Sequence, residues 1–543
     1  MSSQNNKYVW MPLVITLCII IGVFMGIYLF PYTGRALVLP GLNSGNKLDK
    51  VFGVISSDYV DTIEINDLIE KTIPAIFKEL DPHSVYIPAS DLQTVNEELE
   101  GSFSGIGIQF NVINDTITVV GVISGGPSEK VGILPGDRIV TIDDSLFVGV
   151  TNEKVMKNLR GEKGTKVRVG VSRMGADELV SFDITRDDVP VNSVDASFIL
   201  NNIGYIKVSK FGRTTYEEFI RAIAKQKISG VDGFIVDLRS NSGGYMDAAI
   251  NMVNEFLPSD RLIVYTEGQN FPRNDMYANG TGVVQREPLV VLMDEWSASA
   301  SEIFAGAVQD NDRGSIVGRR SFGKGLVQSQ IPLSDGSAIR LTVARYYTPS
   351  GRSIQKGYEL GKGDDYEMDI MNRYEHGEFD NRDSIKVDES TVFYTNGGRE
   401  VYGGGGIMPD YFVPLDTTGV TSYYTSLRNK GIIYEYTFQF TDKNREKLKE
   451  YKTAEELVAY LDSLPLVDEM ADFAIQKGIK KRVTLLGISR SLIQLQINAY
   501  IVRNILSEDD FYKVYYKDDP ALKQAVALIE EGKSNPLSAA SNK

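Results

Sequence analysis

Two short stretches of this chain hold residue types that could make and break an acyl bond. The first is Asp294-Glu295-Trp296-Ser297-Ala298-Ser299-Ala300-Ser301-Glu302-Ile303. Before it runs Pro288-Leu289-Val290-Val291-Leu292-Met293, apolar throughout as a buried strand is. After it, Ile303, Phe304, Ala307 and Val308 recur at helical spacing. The chain therefore passes from strand to turn to helix, with Ser299 on the first helical turn. Backbone N–H groups there lack intrahelical partners, and the dipole favours negative charge. A serine so placed can attack a carbonyl while neighbouring N–H groups hold the developing oxyanion. Read alone, the stretch is more readily a helix cap.

The second stretch is Phe322-Gly323-Lys324-Gly325-Leu326-Val327-Gln328. A serine nucleophile needs a base, and the chain has only two histidines, His83 and His376. Neither lies in a motif assignable to a triad, and His83, within Leu80-Asp81-Pro82-His83-Ser84, reads as a structural residue of a turn. A lysine serves as base once desolvation in an apolar pocket lowers its pKa. The flanking glycines let the backbone approach closely and leave room to aim the side chain.

Together the two stretches resemble the catalytic pairing of the C-terminal processing peptidases, or tail-specific proteases. The resemblance implies Ser299 as nucleophile, Lys324 as general base and Gln328 as the residue orienting the lysine. Residues 101 to about 350 follow the family pattern, with Ser321 where many members have threonine. The family places an oxyanion amide in its D-L-R-x-N-x-G-G turn, here Asp237 to Gly244, so the N–H of Gly244 or Gly243 would join that of Ala300. No metal or organic cofactor is implied.

The elements that must position these groups read in order along the chain. After a Gly/Asn linker, residues 47–100 read as helical, with Leu68, Ile69, Ile73, Ile76, Phe77 and Leu80 on one face. Residues 101–187 resemble a PDZ module. Phe103-Ser104-Gly105-Ile106-Gly107-Ile108 matches the loop whose amides hold a peptide's terminal carboxylate, and Gly126 to Val140 is the more specific signature. From residue 188 to about 420 strand, glycine turn and helix alternate as in βαβ units. Leu326–Pro332 and Ala338–Tyr347 form a hairpin, residues 352–400 read as loop-rich, and Tyr411 to Leu415 return to the core sheet. Residues 421–543 are amphipathic helices, given a packing or dimer-forming role, with a disordered tail from Ser534. The fold class is α/β (α+β). The resemblance implies a crotonase-like ββα protease core with an inserted PDZ module.

From Tyr8 to Phe30 there is no charged residue. That suits one membrane crossing of about 20 residues, and Tyr8, Trp10, Tyr28 and Tyr32 lie near its ends as interfacial aromatics do. An uncleaved anchor over residues 1–35 is expected. The resemblance puts the large C-terminal part outside the cytoplasm, on the periplasmic side of a bacterial inner membrane. The net charge of −15 argues against nucleic acid as partner. A single cysteine, Cys18, excludes an intrachain disulfide. The function expected is a serine endopeptidase that recognises protein C-termini through its PDZ module, with a homodimer and an adaptor protein left open as partners. A catalytically silent PDZ scaffold is the alternative, and acyl transfer on thioesters is a more distant one.

Overall fold

The computed structural model describes residues 46–537, apart from 114, 124, 174, 175, 177 and 387–390, together with residues 14, 16, 17, 20 and 21. The expected membrane span otherwise lies outside the described residues. Among the described residues no helix is long and apolar enough to cross a membrane. The helices Lys47–Asp58 and Ile65–Lys78 follow, neither with a buried residue.

The catalytic region is built on a six-stranded sheet in the order Val194–Leu200, Ile203–Val208, Gly233–Asp237, Leu289–Met293, Ser315–Gly318 and Tyr411–Phe412. The first pair is antiparallel and every later pair is parallel. The Ile203–Val208, Gly233–Asp237, Leu289–Met293 and Ser315–Gly318 strands are buried at every residue. Their near-continuous Val, Ile and Leu runs are what a sheet covered on both faces requires.

One cover is the cluster of Phe219, Phe234, Met252, Phe256 and Phe304, contributed by the helices Thr215–Ile228, Met246–Asn254 and Ala300–Asp310 with the sheet beneath them. The other is the helix Pro520–Glu530, whose Leu522, Ala525 and Leu528 join Tyr205, Ile235, Val290 and Leu292. The end of the C-terminal helical region is thus part of the protease core. The tail expected to be disordered from Ser534 is seated at its start, where Ser315 Oγ donates to the Ser534 carbonyl at 2.8 Å.

A second sheet joins Val85–Ile87, Ala338–Tyr347, Leu262–Glu267 and Asn274–Tyr277 in that order, with Leu326–Pro332 also paired to Ala338–Tyr347. The Val85–Ile87 strand interrupts a stretch expected to be all helix, because its backbone pairs with Ala338–Arg340. Residues 352–400 hold two short helices, Gly363–Glu367 and Asp369–Glu375, and a hairpin of Val392–Tyr394 with Glu400–Tyr402.

Residues 108–185 form an antiparallel sheet in the order Ile108–Ile113, Thr116–Val122, Arg138–Ile142, Lys166–Ser172 and Val180–Thr185. Its core of Ile117, Val119, Ile139, Val169 and Ile184 also takes Val155 and Leu159 from the helix Asn152–Leu159. Helices from Ser422 to Tyr515 pack around Val483–Ile505, which is buried on several sides and not amphipathic.

Candidate active site

Three consecutive parallel strands end at the same edge of the sheet, and the loop after each carries one part of the site. The turn Leu238 to Tyr245 follows Gly233–Asp237, the turn Asp294 to Ser299 follows Leu289–Met293, and Arg319 to Lys324 follow Ser315–Gly318. Carboxyl ends of parallel strands are where α/β sheets assemble chemistry, because loops from neighbouring strands converge there.

Ser299 is the N-cap of Ala300–Asp310, one residue earlier than the sequence suggested, with φ 55° and ψ −112°. A non-glycine residue in this region is strained, and the surroundings must hold it there. Glu302 does much of that. Its fully buried carboxylate accepts the Ser299 N–H at 2.8 Å, the Lys324 N–H at 2.9 Å, the Gly323 N–H at 2.7 Å and the Ser321 hydroxyl at 2.5 Å. One carboxylate therefore fixes the backbones of both predicted catalytic residues. Tyr346 ties them again, its hydroxyl donating to the carbonyls of Ser299, at 3.1 Å, and Lys324. Burial pushes the Glu302 carboxyl up to about 7, against these hydrogen bonds, which favour the anion.

The Lys324 side chain is held below its ordinary pKa chiefly by burial, and also by the charge of Arg340. The carboxylates of Glu302 and Asp81 oppose the shift. Desolvation of this kind is what a lysine base needs. Among the described residues no hydrogen bond joins its ammonium to the Ser299 hydroxyl. Nor does a hydrogen bond join Gln328 to Lys324 among the described residues; the Gln328 amide donates to Thr342 Oγ1 at 3.3 Å. Thr342 in turn donates to Asp81 Oδ1 at 2.8 Å, which links the glutamine to the Asp81-Pro82-His83-Ser84 segment. Asp81 organises that segment as a turn, accepting the N–H groups of His83 and Ser84 at 3.0 and 3.1 Å. His83 packs on Tyr366 with Nε2 3.0 Å from its hydroxyl. Burial and the nearby Lys324 charge push its pKa down to about 4, so it is neutral at physiological pH.

The N–H groups expected to hold an oxyanion are distinguished by their partners. The Gly243 N–H donates to Asn241 Oδ1 at 2.9 Å. The N–H groups of Gly244 and Ala300 have no hydrogen-bond partner among the described residues. Gly243 serves by its missing side chain: a Cβ there would stand 2.7 Å from Ser299 Cβ and 3.0 Å from the Ala300 nitrogen. Asn241 locks the turn to the serine loop, its carbonyl accepting the Ala298 N–H at 3.0 Å and the Ser301 hydroxyl at 2.8 Å.

In the peptide-binding module, Phe103 and Gly105 lie in the strand Ser102–Gly105, paired with Asp187–Pro190, and Ile106 and Gly107 lead from it to Ile108 at the start of the Ile108–Ile113 edge strand. Gly107 has φ 77°, and a Cβ on it would come within 3.2 Å of Pro127 Cδ. The N–H groups of Ile106 and Gly107 have no partner among the described residues. The Phe103 ring instead carries the Arg160 guanidinium, 4.7 Å from its centroid.

Comparison with known proteins agrees with this architecture. Residues 202–367 match peptidase family S41 and residues 104–196 match the PDZ domain. A carboxy-terminal-processing protease of Bartonella bacilliformis is 37% identical over 312 residues, which are 56% of this chain and 71% of that protein. The chain belongs to peptidase family S41. The carboxy-terminal processing protease CtpA of Bacillus subtilis is 35% identical over 324 residues, 60% of this chain and 69% of its own length. This peptidase is therefore a serine-type enzyme with a PDZ domain. Its residues 423–507 match a further family of unknown function.

The sequence reading assigned no role to Glu302, Tyr346 or Asn241. A signal existed for Glu302, which stands three residues after Ser299 in the Ser-x-x-Glu spacing of a capping box. For Tyr346 the expected hairpin, which pairs Leu326 with Arg345, already places it beside Lys324, but its bond to the Ser299 carbonyl shows only in the fold.

Proposed function

We propose that this peptidase is an endopeptidase working by a Ser299–Lys324 dyad on protein chains whose free C-termini it holds in its PDZ domain. Neutral Lys324 takes the hydroxyl proton as Ser299 Oγ attacks the scissile carbonyl. The oxyanion then forms against the Ala300 and Gly244 N–H groups. Collapse expels the amine, which leaves with the proton from Lys324. Water, deprotonated by the same lysine, hydrolyses the acyl-enzyme and restores the serine. The observation that carries this reading is the Glu302 carboxylate, which holds the Ser299 and Lys324 backbones together beside two unpartnered N–H groups. Gln328 acts on the dyad indirectly, through Thr342 and Asp81. The uncharged run Tyr8–Phe30 supports anchorage in a bacterial inner membrane, with the peptidase on the periplasmic side and extracytoplasmic proteins as substrates.

Mass spectrometry of an unstructured protein incubated with the parent and with Ser299→Ala tests the proposal. New internal C-termini are expected with the parent alone. Equal cleavage by the alanine variant would make Ser299 a helix cap and the mechanism wrong, whereas no cleavage by either protein would leave a PDZ scaffold that binds C-termini without cutting.

A further inference from the structure

The oxyanion turn begins at Arg239, and what holds Arg239 comes from the far end of the chain. Its guanidinium lies against Asp237, with Nη2 2.6 Å from Oδ2, and its Nη1 donates to Asp519 Oδ2 at 2.8 Å. The Tyr516 ring covers it, 4.6 Å from Cζ. Lys207 Nζ is 3.3 Å from Asp237 Oδ1 and also donates to the Arg239 carbonyl. Lys207 and Asp237 are buried, while Arg239 and Asp519 are 12% and 18% exposed. Lys207 and Arg239 bring two positive charges to this pocket and Asp237 only one negative. Asp519 makes it neutral, and a poorly hydrated cluster with an uncompensated charge is costly.

We infer that Asp519 is a positioning residue for the oxyanion turn, acting through Arg239. Asp519 is itself fixed, because its Oδ1 accepts the Leu522 N–H at 2.7 Å and caps the Pro520–Glu530 helix on the sheet. The residue after Arg239 is Ser240, with φ 59°, another non-glycine backbone in the left-handed region. Such a conformation persists only when its surroundings hold it from both sides. Asp294 holds one side, accepting the Ser240 N–H at 2.9 Å. Arg239, clamped by Asp237, Asp519 and Tyr516, holds the other. Beyond Ser240 come Asn241, which is bonded to the Ser299 loop, and then Gly243 and Gly244. A shift at Arg239 therefore reaches the Gly244 N–H without touching Lys324 or the PDZ domain. Asp519 and Tyr516 lie beyond all three matched regions of the chain. The inference rests on the Gly244 N–H serving as an oxyanion donor in the proposed function.

The test uses the full chain and the hydrolysis of fluorescein-labelled casein. Asp519→Asn keeps a good helix cap but removes the charge. It should lower kcat per folded molecule about tenfold, as small misplacements of a catalytic group do, with KM within twofold of the parent and a thermal midpoint that is lowered but stays above the assay temperature. Tyr516→Leu, which keeps all four charges, should show the same selective loss of kcat, and it decides the matter if Asp519→Asn fails to fold. A folded Asp519→Asn with kcat within twofold of the parent overturns the inference, as does a loss of activity matched by loss of folded protein. Ser299→Ala, run alongside, separates the two ideas. Full activity in that variant sinks the proposed mechanism, whereas an inactive Ser299→Ala beside a fully active Asp519→Asn sinks the inference alone.

Discussion

Glu302 lies one helical turn beyond Ser299 and takes that residue's backbone N–H at 2.8 Å on Oε2. The same oxygen receives the Lys324 N–H, while Oε1 receives Ser321 and Gly323. Glu302→Gln should therefore cost more than a charge. Its amide must turn an NH2 toward one of these donor pairs, leaving two buried donors facing a donor. Each such loss costs about 1–3 kcal/mol. Urea unfolding should show destabilisation of about that size or somewhat more, together with at least a tenfold fall in cleavage rate.

The raised Glu302 pKa also sets a pH dependence of stability. The folded state binds this proton more tightly than the unfolded chain does, whose carboxyl has the ordinary value of about 4.3. The contribution is fully present below that value. It is lost as pH rises from there through about 7, the folded value. Burying His83 in its neutral form acts in the opposite sense over much of this window, so the test is a difference: the unfolding free energy of the parent minus that of Glu302→Gln should fall as pH rises from about 4.5 to about 8. Identical slopes in both proteins would assign the effect to other groups.

For Lys324 the sign runs the other way in activity. Only the neutral amine is a base, and burial lowers its pKa, so the cleavage rate should climb with pH and level off below the pH an exposed lysine would require. Arginine keeps the positive charge but does not deprotonate in a protein. Lys324→Arg should thus be as inactive as Lys324→Ala at every pH. Substantial activity in the arginine variant would make position 324 a fixed charge.

Gly243→Ala tests the close approach beside the nucleophile. The added methyl would stand 2.7 Å from Ser299 Cβ and 2.9 Å from the Ala298 carbonyl, and residue 243 has φ 105°. The serine loop or the oxyanion turn must move, and kcat should fall by at least about tenfold. Single-turnover acylation measures this directly.

In the PDZ domain, Gly107→Val puts a β-branched side chain at φ 77° and against Pro127. It should raise KM for substrates with a free C-terminus while leaving kcat near that of the parent. Amidating the substrate's C-terminus should have the same effect on the parent enzyme, since it removes the charge for which the loop amides are proposed as donors. Equal KM values for free and amidated peptides would leave the loop without this role.

The sequence by itself determined the local elements and the residue types they carry. A buried apolar run, a Ser-x-x-Glu helix start and a glycine-flanked lysine are local patterns, and the hairpin Leu326–Pro332 with Ala338–Tyr347 appears at the residues expected. What the tertiary structure decided are relations between residues far apart in the chain. The fold sets the Tyr346 hydroxyl on the Ser299 carbonyl, a shared carboxylate joins Ser299 to Lys324, and Thr342 accepts from the Gln328 amide. The C-terminal helices looked like an appendage because nothing in their periodicity names the surface they bury. Only the folded chain shows Pro520–Glu530 covering the central sheet and Asp519 meeting Arg239. Periodicity reports which face of an element is apolar, whereas the partner of that face depends on the path of the whole chain.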